Sequence, residues 1–397
     1  MDEHVLRTYQ RAEPTFTHGR GARLVDGQGR EYIDLMGGIA VSALGHAHPA
    51  LVAALTDQIG RVLHTCNLYR HPYTEQVAGL LAKHTGLEAA FFSNSGTEAN
   101  ECALKAARAH HHRLAQAAGT APRTAFLALE GSFHGRTLGA LSVTWTERYR
   151  APFEPLIPGC HFVPAGDVDA LQAALERLQP AALILEPIQG ESGLRPLPDA
   201  YLRRARELCT ATGTILIHDE VQSGCGRTGS FLAAQSAGVT PDIVTLAKPL
   251  GAGLPIGATV VAEHLACSLV PGDHGSTFGG GPLALRAALT FLELWDAGEL
   301  AADVAARGAE LTAGLDRLVA RFDHVIERRG RGLMQGLRMA TPAGELSALL
   351  HQRGVLTCTA GDNVLRLLPP YVIAPTDLSL GLETLEACLT ETQTCLT

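Results

Sequence analysis

Five short apolar runs constrain this chain more than any other feature. Each ends in a polar or glycine-rich turn and is followed by a helical pattern. They are Ala89–Phe92 before Ser93-Asn94-Ser95-Gly96-Thr97, and Thr124–Leu129 before Glu130-Gly131-Ser132-Phe133-His134-Gly135. Further on come Ala182–Leu185 before Glu186-Pro187, Ile215–Ile217 before His218-Asp219-Glu220, and Ile243–Leu246 before Ala247-Lys248-Pro249. Runs this short, bounded by turns and separated by helices, predict buried parallel strands in βαβ units. Ligand chemistry in such a sheet gathers at the carboxyl ends of the strands. The polar groups just named stand at those ends.

The flanks differ. Residues 21–35 read as a hairpin with a glycine-rich turn. The segment from Pro282 to Arg321 is Ala- and Leu-rich and helical, and the tail mixes short strands with helices. The expected organisation is a large, mostly parallel α/β domain over residues 49–282. A smaller α+β domain would combine residues 1–48 and 283–397.

Charge and composition exclude several classes. A formal net charge of −8 argues against nucleic-acid binding, which rests on cations that neutralise phosphates. The apolar runs are too short to span a bilayer, and Met1-Asp2-Glu3-His4 does not open a secretory signal. Nine cysteines without a C-x-x-C pair suggest reduced thiols and a cytoplasmic protein. The adjacent His110, His111 and His112 point different ways on a helix, so no metal is expected there, and the run reads as a solvated helix end.

Of the 32 basic residues only Lys83, Lys105 and Lys248 are lysines. Any chemistry that needs a primary amine therefore has three candidates. Lys83 closes an amphipathic helix, where a cation suits the dipole. Lys105 follows Glu101 by four residues and reads as an exposed ion pair. Lys248 instead follows a buried strand, a setting that lowers an amine's pKa and favours nucleophilic or Schiff-base chemistry. The plain alternative is a lysine salt-bridged in a loop.

Two neighbours bear on that choice. Asp219 ends the preceding strand and could hold a pyridinium nitrogen protonated, or simply cap the next helix. The junction Ser95-Gly96-Thr97-Glu98 offers free N–H groups and hydroxyls suited to a phosphate, or an ordinary cap.

Seven ordered blocks carry a resemblance that runs nearly end to end. They include Leu44-Gly45-His46-Ala47-His48-Pro49, Asn94-Ser95-Gly96-Thr97-Glu98-Ala99-Asn100-Glu101 and Ser132-Phe133-His134-Gly135-Arg136-Thr137. The others are Glu186-Pro187-Ile188-Gln189-Gly190-Glu191, Asp219-Glu220-Val221-Gln222, Thr245-Leu246-Ala247-Lys248 and Ser276-Thr277-Phe278-Gly279-Gly280. Together they resemble the class III (ω-amino group) aminotransferases, which use pyridoxal 5'-phosphate (PLP) on the aspartate-aminotransferase-like fold type I.

The resemblance implies Lys248 as the Schiff-base lysine and proton carrier, with Asp219 on the pyridine nitrogen and Gln222 on the ring hydroxyl. It implies Ser95, Gly96 and Thr97 at the phosphate, with Ser276 and Thr277 reaching in from a partner subunit. Phe133 would stack on the cofactor ring, or be one more core aromatic. Arg136 would grip the substrate carboxylate, and Arg366 would be masked by Glu191 until 2-oxoglutarate needs it. A homodimer with active sites at the interface is implied as well, and neither nucleic acid nor membrane.

The implied reaction moves a terminal amine to 2-oxoglutarate. The Gly38-Ile39-Ala40-Val41 and Asn67-Leu68-Tyr69 blocks favour N2-acetyl-L-ornithine as donor; ornithine, succinylornithine, 4-aminobutyrate and lysine derivatives are the alternatives. Gly281 stands where the family commonly has Asn, and Pro249 is unusual after the lysine. A reading from another class starts from Gly224-Cys225-Gly226-Arg227-Thr228-Gly229, which fits the dinucleotide fingerprint of nicotinamide oxidoreductases. It sits too far from the strand end at Ile217, so a loop in the active-site wall is preferred.

Overall fold

The computed structural model describes residues 4–361 and 363–394. Near the amino end β1 (Phe16–Arg20), β2 (Arg23–Asp26) and β3 (Glu31–Asp34) form an antiparallel meander. The β2–β3 turn is the expected hairpin: Asp26 Oδ1 accepts the N–H groups of Gln28 and Arg30, and Gly29 supplies a φ of +82°.

The central strands are β4 (Ala89–Ser93), β5 (Phe126–Leu129), β6 (Cys160–Val163) and β7 (Ala182–Leu185). After the small hairpin β8 (Ile188–Gln189) and β9 (Arg195–Pro196) come β10 (Ile215–Asp219), β11 (Ile243–Leu246) and β12 (Gly257–Val261). Their order in the seven-stranded sheet is β4-β12-β11-β10-β7-β5-β6. The five expected strands run in one direction. β12 enters antiparallel between β11 and β4, and β6 forms the far edge. Both additions lack the clear apolar run of the other five, since His161 interrupts β6 and Gly257 opens β12.

Alternation along each strand explains how the sheet is covered. Leu127, Leu129, Leu183, Leu185 and Leu216 pack on one face against the helices Val168–Leu178 and Asp199–Thr212. Phe126, Ala128, Ala182, Ile184, Ile215 and Ile217 pack on the other against the helix Gly96–Ala118. Both faces are buried, which is why these strands read as continuous apolar runs.

The expected helical stretch becomes two helices, Pro282–Asp296 and Glu299–Arg321. Beyond them β13 (Val325–Arg331), β14 (Met334–Met339), β16 (Cys358–Ala360) and β17 (Val364–Leu367) form an antiparallel sheet ordered β13-β14-β17-β16. The short β15 (Val355–Leu356) instead pairs in parallel with β3, so the two ends of the chain share a sheet.

Two surface expectations are corrected. Lys105 does not pair with Glu101. Glu101 Oε1 instead accepts the N–H groups of Gly139 and Ala140, and Lys105 Nζ donates to the Asp273 carbonyl at 3.0 Å. The histidine run is not a solvated helix end, because it lies in the middle of the helix Gly96–Ala118. His111 is buried with Nε2 3.0 Å from the Ala181 carbonyl, and burial pulls its pKa down to about 4. Among the described residues no cluster suits a metal ion, and no helix is long and apolar enough to cross a membrane.

Candidate active site

A cavity of about 440 Å³ opens where the carboxyl ends of β4, β5, β7, β10 and β11 meet the amino end of β12. Ser95, Gly96 and Thr97 line it after β4, Phe133 and Arg136 after β5, and Glu186 after β7. Asp219 and Gln222 line it from β10 and Lys248 from β11. The antiparallel entry of β12 closes the wall with Gly253, Leu254, Pro255 and Ile256.

Lys83 and Lys105 are both exposed and lie outside the cavity. Lys83 pairs with Asp296 on the surface. Lys248 begins the 3-10 turn Lys248–Gly251, with Pro249 in the first-turn position that needs no N–H donor. Burial pushes its ammonium pKa down, partly offset by the carboxylates of Glu191 and Asp219. Its Nζ has no hydrogen-bond partner among the described residues. The salt-bridged loop lysine is therefore not what the fold provides.

Asp219 caps no helix. Its buried carboxylate accepts from Asn100 Nδ2 at 2.7 Å and His134 Nδ1 at 2.8 Å through Oδ2, and from the Val221 N–H through Oδ1. Asn100 is itself fixed, because its Oδ1 accepts the Thr245 hydroxyl at 2.7 Å. Asn100 and His134 lie in blocks quoted above, but no local spacing signals that both converge on Asp219.

The junction after β4 is a helix N-terminus with real length behind it, 23 residues from Gly96 to Ala118. Ser95 Oγ caps it by accepting from Glu98 N, so that hydroxyl is partly engaged. Thr97 shares a 2.9 Å hydrogen bond with Thr137. Close approach here requires glycine: a Cβ on Gly96 would stand 2.6 Å from Val221, and one on Gly135 would stand 2.1 Å from Thr97 Oγ1.

Phe133 lines the cavity with its ring edge-on to Tyr149 at 6.4 Å. Arg136 is exposed and has no carboxylate partner among the described residues. Its guanidinium carbon lies 3.6 Å above the Tyr149 ring. A second cleft of about 450 Å³ shares Phe133 with the first and adds Tyr149, Glu191, Ser192 and Thr359.

Glu191 and Arg366 do not line the first cavity. They stand behind Gln222, which accepts from Arg366 Nη1 and donates to Glu191 Oε1, each at 3.3 Å. Their own ion pair is 2.6 Å long, with the Arg366 side chain 2% exposed. Burial alone would raise the Glu191 pKa, but the Arg366 guanidinium holds it below 4.5. Arg366 Nε also donates to Cys358 Sγ at 3.3 Å across the β16–β17 pair.

Glu186 went without a role in the sequence. Burial, with Asp219 nearby, pushes its carboxyl up to about 8. Its two oxygens accept the N–H groups of Phe133 and Gly190, tying the Arg136 loop to the Glu191 loop.

Ser276 and Thr277 lie outside both clefts. Ser276 Oγ accepts from Asn94 Nδ2, while Thr277 is exposed. Gly281 gives the helix Pro282–Asp296 no side-chain cap, and Asn67 Nδ2 bonds this loop at the Ser276 and Gly279 carbonyls. The glycine fingerprint forms turns that open no helix, and a Cβ on Gly226 would strike the Trp295 ring. That rules out its dinucleotide-binding geometry.

These residues fit PLP: an amine for its aldehyde, an anchored carboxylate for its ring nitrogen, and a glycine-lined helix terminus for its phosphate. Residues 7–389 match the family model described as aminotransferase class-III. The acetylornithine aminotransferase of Rhodobacter capsulatus is 43% identical over 395 residues, 99% of each chain. A solved ornithine aminotransferase from Toxoplasma gondii is 33% identical with a TM-score of 0.93, over 99% of this chain and 94% of that one. The N-acetylornithine aminotransferase structure from Stenotrophomonas maltophilia is 35% identical with a TM-score of 0.84, over 99% of both.

Proposed function

The chain belongs to the class III aminotransferases, and from that premise we propose a specific reaction for it. It moves the terminal amine of N2-acetyl-L-ornithine to 2-oxoglutarate, giving N-acetyl-L-glutamate 5-semialdehyde and L-glutamate, a step of arginine biosynthesis. The observation that carries the donor is 43% to 45% identity, over 98% or more of this chain, with relatives named for it. The observation behind the chemistry is a partnerless amine facing a carboxylate fixed by Asn100 and His134.

Bound PLP supplies the electron sink that makes the C–H bond beside an amine acidic. Lys248 Nζ, its pKa lowered by burial, would hold the cofactor by its aldehyde and, once the donor's amine displaces it, would be the free base at that C–H bond. It takes a proton from the carbon bearing the donor's amine. In the second half-reaction it returns one to the carbon that receives the amine. Asp219 would face the ring nitrogen, Gln222 the ring hydroxyl, and Gly96 with Thr97 the phosphate, with Ser95 contributing from the cap. Phe133, which lines the cavity, would cover one face of the ring and keep water from it.

Arg136 takes the donor's carboxylate with two parallel bonds, so the distal amine would meet the aldehyde carbon of the cofactor that Lys248 holds. Arg366 takes a carboxylate of 2-oxoglutarate once Glu191 gives it up. The two half-reactions alternate on one cavity, which is ping-pong kinetics.

The active unit is read as a cytoplasmic homodimer, in which Ser276 and Thr277 serve the partner's phosphate site. Supporting this are Leu68, Tyr69 and Phe278, which are 90%, 73% and 67% exposed around that loop. The eight described cysteines are free, in keeping with a reducing compartment.

A donor panel with 2-oxoglutarate tests the reaction. Acetylornithine is expected to be the best donor; brisk turnover of 4-aminobutyrate or ornithine with none of acetylornithine would overturn it. Borohydride reduction is expected to fix the cofactor on Lys248 alone.

A further inference from the structure

We propose that Tyr149 is a positioning residue for substrate recognition, holding the Arg136 guanidinium so that its in-plane N–H groups stay free for a carboxylate. The proposal deepens the reading of Arg136 given above and rests on it.

The approach of Arg136 to the Tyr149 ring, 3.6 Å, is the shortest of the nine arginine–aromatic contacts among the described residues; the others span 4.4 to 5.7 Å. A guanidinium on a ring uses its face and leaves its donor fork unoccupied. A carboxylate partner would fill that fork and have to be displaced by each incoming substrate. The ring therefore restrains the arginine without competing for the atoms that bind.

Tyr149 is itself fixed on several sides. Its hydroxyl accepts from Arg148 Nη2 at 3.2 Å, and its N–H donates to the Thr146 carbonyl at 3.0 Å. Its ring meets the edge of Phe133, the residue read as covering the cofactor. Cofactor wall, aromatic ring and guanidinium thus form one continuous surface. Tyr149 lies 13 positions beyond Arg136, joined to it only through the turn after the helix Leu138–Ser142, so no local sequence pattern announces the contact.

The test uses the holoenzyme and its Tyr149→Leu, Tyr149→Phe and Arg136→Ala variants. Tyr149→Leu is expected to raise KM for acetylornithine about tenfold, the order of a well-placed cation–π contact. The saturated kcat and the absorbance of the bound cofactor should change little. Tyr149→Phe, which keeps the ring, is expected to recover most of that loss. For a terminal diamine without a carboxylate, pentane-1,5-diamine, Tyr149→Leu is expected to leave KM where it was.

A rise in KM that is equal for the diamine would show a merely structural wall and overturn the proposal. So would a Tyr149→Phe variant as impaired as Tyr149→Leu. If Arg136→Ala raises KM and Tyr149→Leu does not, the proposal fails while the reading of Arg136 stands. If Arg136→Ala changes nothing, both fall. Tyr149→Gln supplies a second ring-less variant should the leucine one fail to fold.

Discussion

Arg136 and Arg366 carry the same guanidinium, and the chain treats them in opposite ways. Arg136 is exposed, lies on an aromatic face and has no carboxylate partner among the described residues. Arg366 is buried on β17, with one nitrogen on Glu191, the same nitrogen near Gln222, and a third contact at Cys358. A free fork can take a carboxylate at once. A masked fork takes one only if an internal carboxylate leaves first. On the proposed reading, the difference gives two carboxylate-bearing substrates two unlike receptors, and so a physical basis for taking them in turn.

The comparison can be broken at its centre. Lys248→Ala should silence both half-reactions alike, with kcat down ~10³-fold or more and no borohydride-fixed cofactor. Stopped-flow absorbance with each substrate checks it. If one half-reaction survived, the two arginines would not share a base.

Arg366→Ala should separate the arms next. It leaves Glu191, which is only half-buried beside the second cleft, without its cation, so a loss of roughly 1–3 kcal/mol in denaturant unfolding is expected, with a raised KM for 2-oxoglutarate. Arg136→Lys should cost almost no stability yet raise the acetylornithine KM about tenfold, because paired contact is lost while charge remains. If the two variants exchanged these signatures, the assignment of donor and acceptor arms would be reversed.

Glu186 binds the two arms together, and its proton reports on them. Its folded pKa, about 8, lies above the ordinary 4.5. The folded state therefore holds a proton that the unfolded state releases between these values. The stabilisation is full below pH 4.5 and declines as pH rises to 8. Thermal melts from pH 4 to 9 should show that decline, and Glu186→Gln should lessen it, leaving the share of Glu220, whose carboxyl burial pushes up to about 7. The smallest effect is expected at Lys83→Gln, which breaks an exposed, solvent-screened pair with Asp296 and should leave both the melting temperature and turnover nearly unchanged.

The sheet was largely legible because both its faces are covered: five short runs are apolar apart from Thr124 and the β-branched Thr245. β6 and β12 escaped because a titratable histidine in the one and a leading glycine in the other blur that signal over so short a strand. Lys248 stood out by elimination among three amines, and the motif residues by resemblance. What could not be read were contacts between blocks. Asn100 and His134 meet at Asp219 only because β4, β5 and β10 end together, and Tyr149 meets Arg136 only after the chain turns back. Lys105 went the other way: its spacing from Glu101 was right, but the backbone of Gly139 and Ala140 took the carboxylate first.

The antiparallel strand β12 has a further consequence. Leu246 is in register with Ala258, so both ends of the segment 247–256 are pinned to the same edge of the sheet. Lys248 stands at one end of that segment and the cavity wall at the other. An added or deleted residue there would either move the cavity wall relative to Lys248 or slip the strand, and a slip of β12 by one position would exchange Ala258 and Val260 with Thr259 across the sheet. A Cβ on Gly257 would already press to 2.2 Å from the Ser95 carbonyl. The chain can thus vary in length at the open turn around Gly29, but between β11 and β12 its length is part of the catalytic geometry.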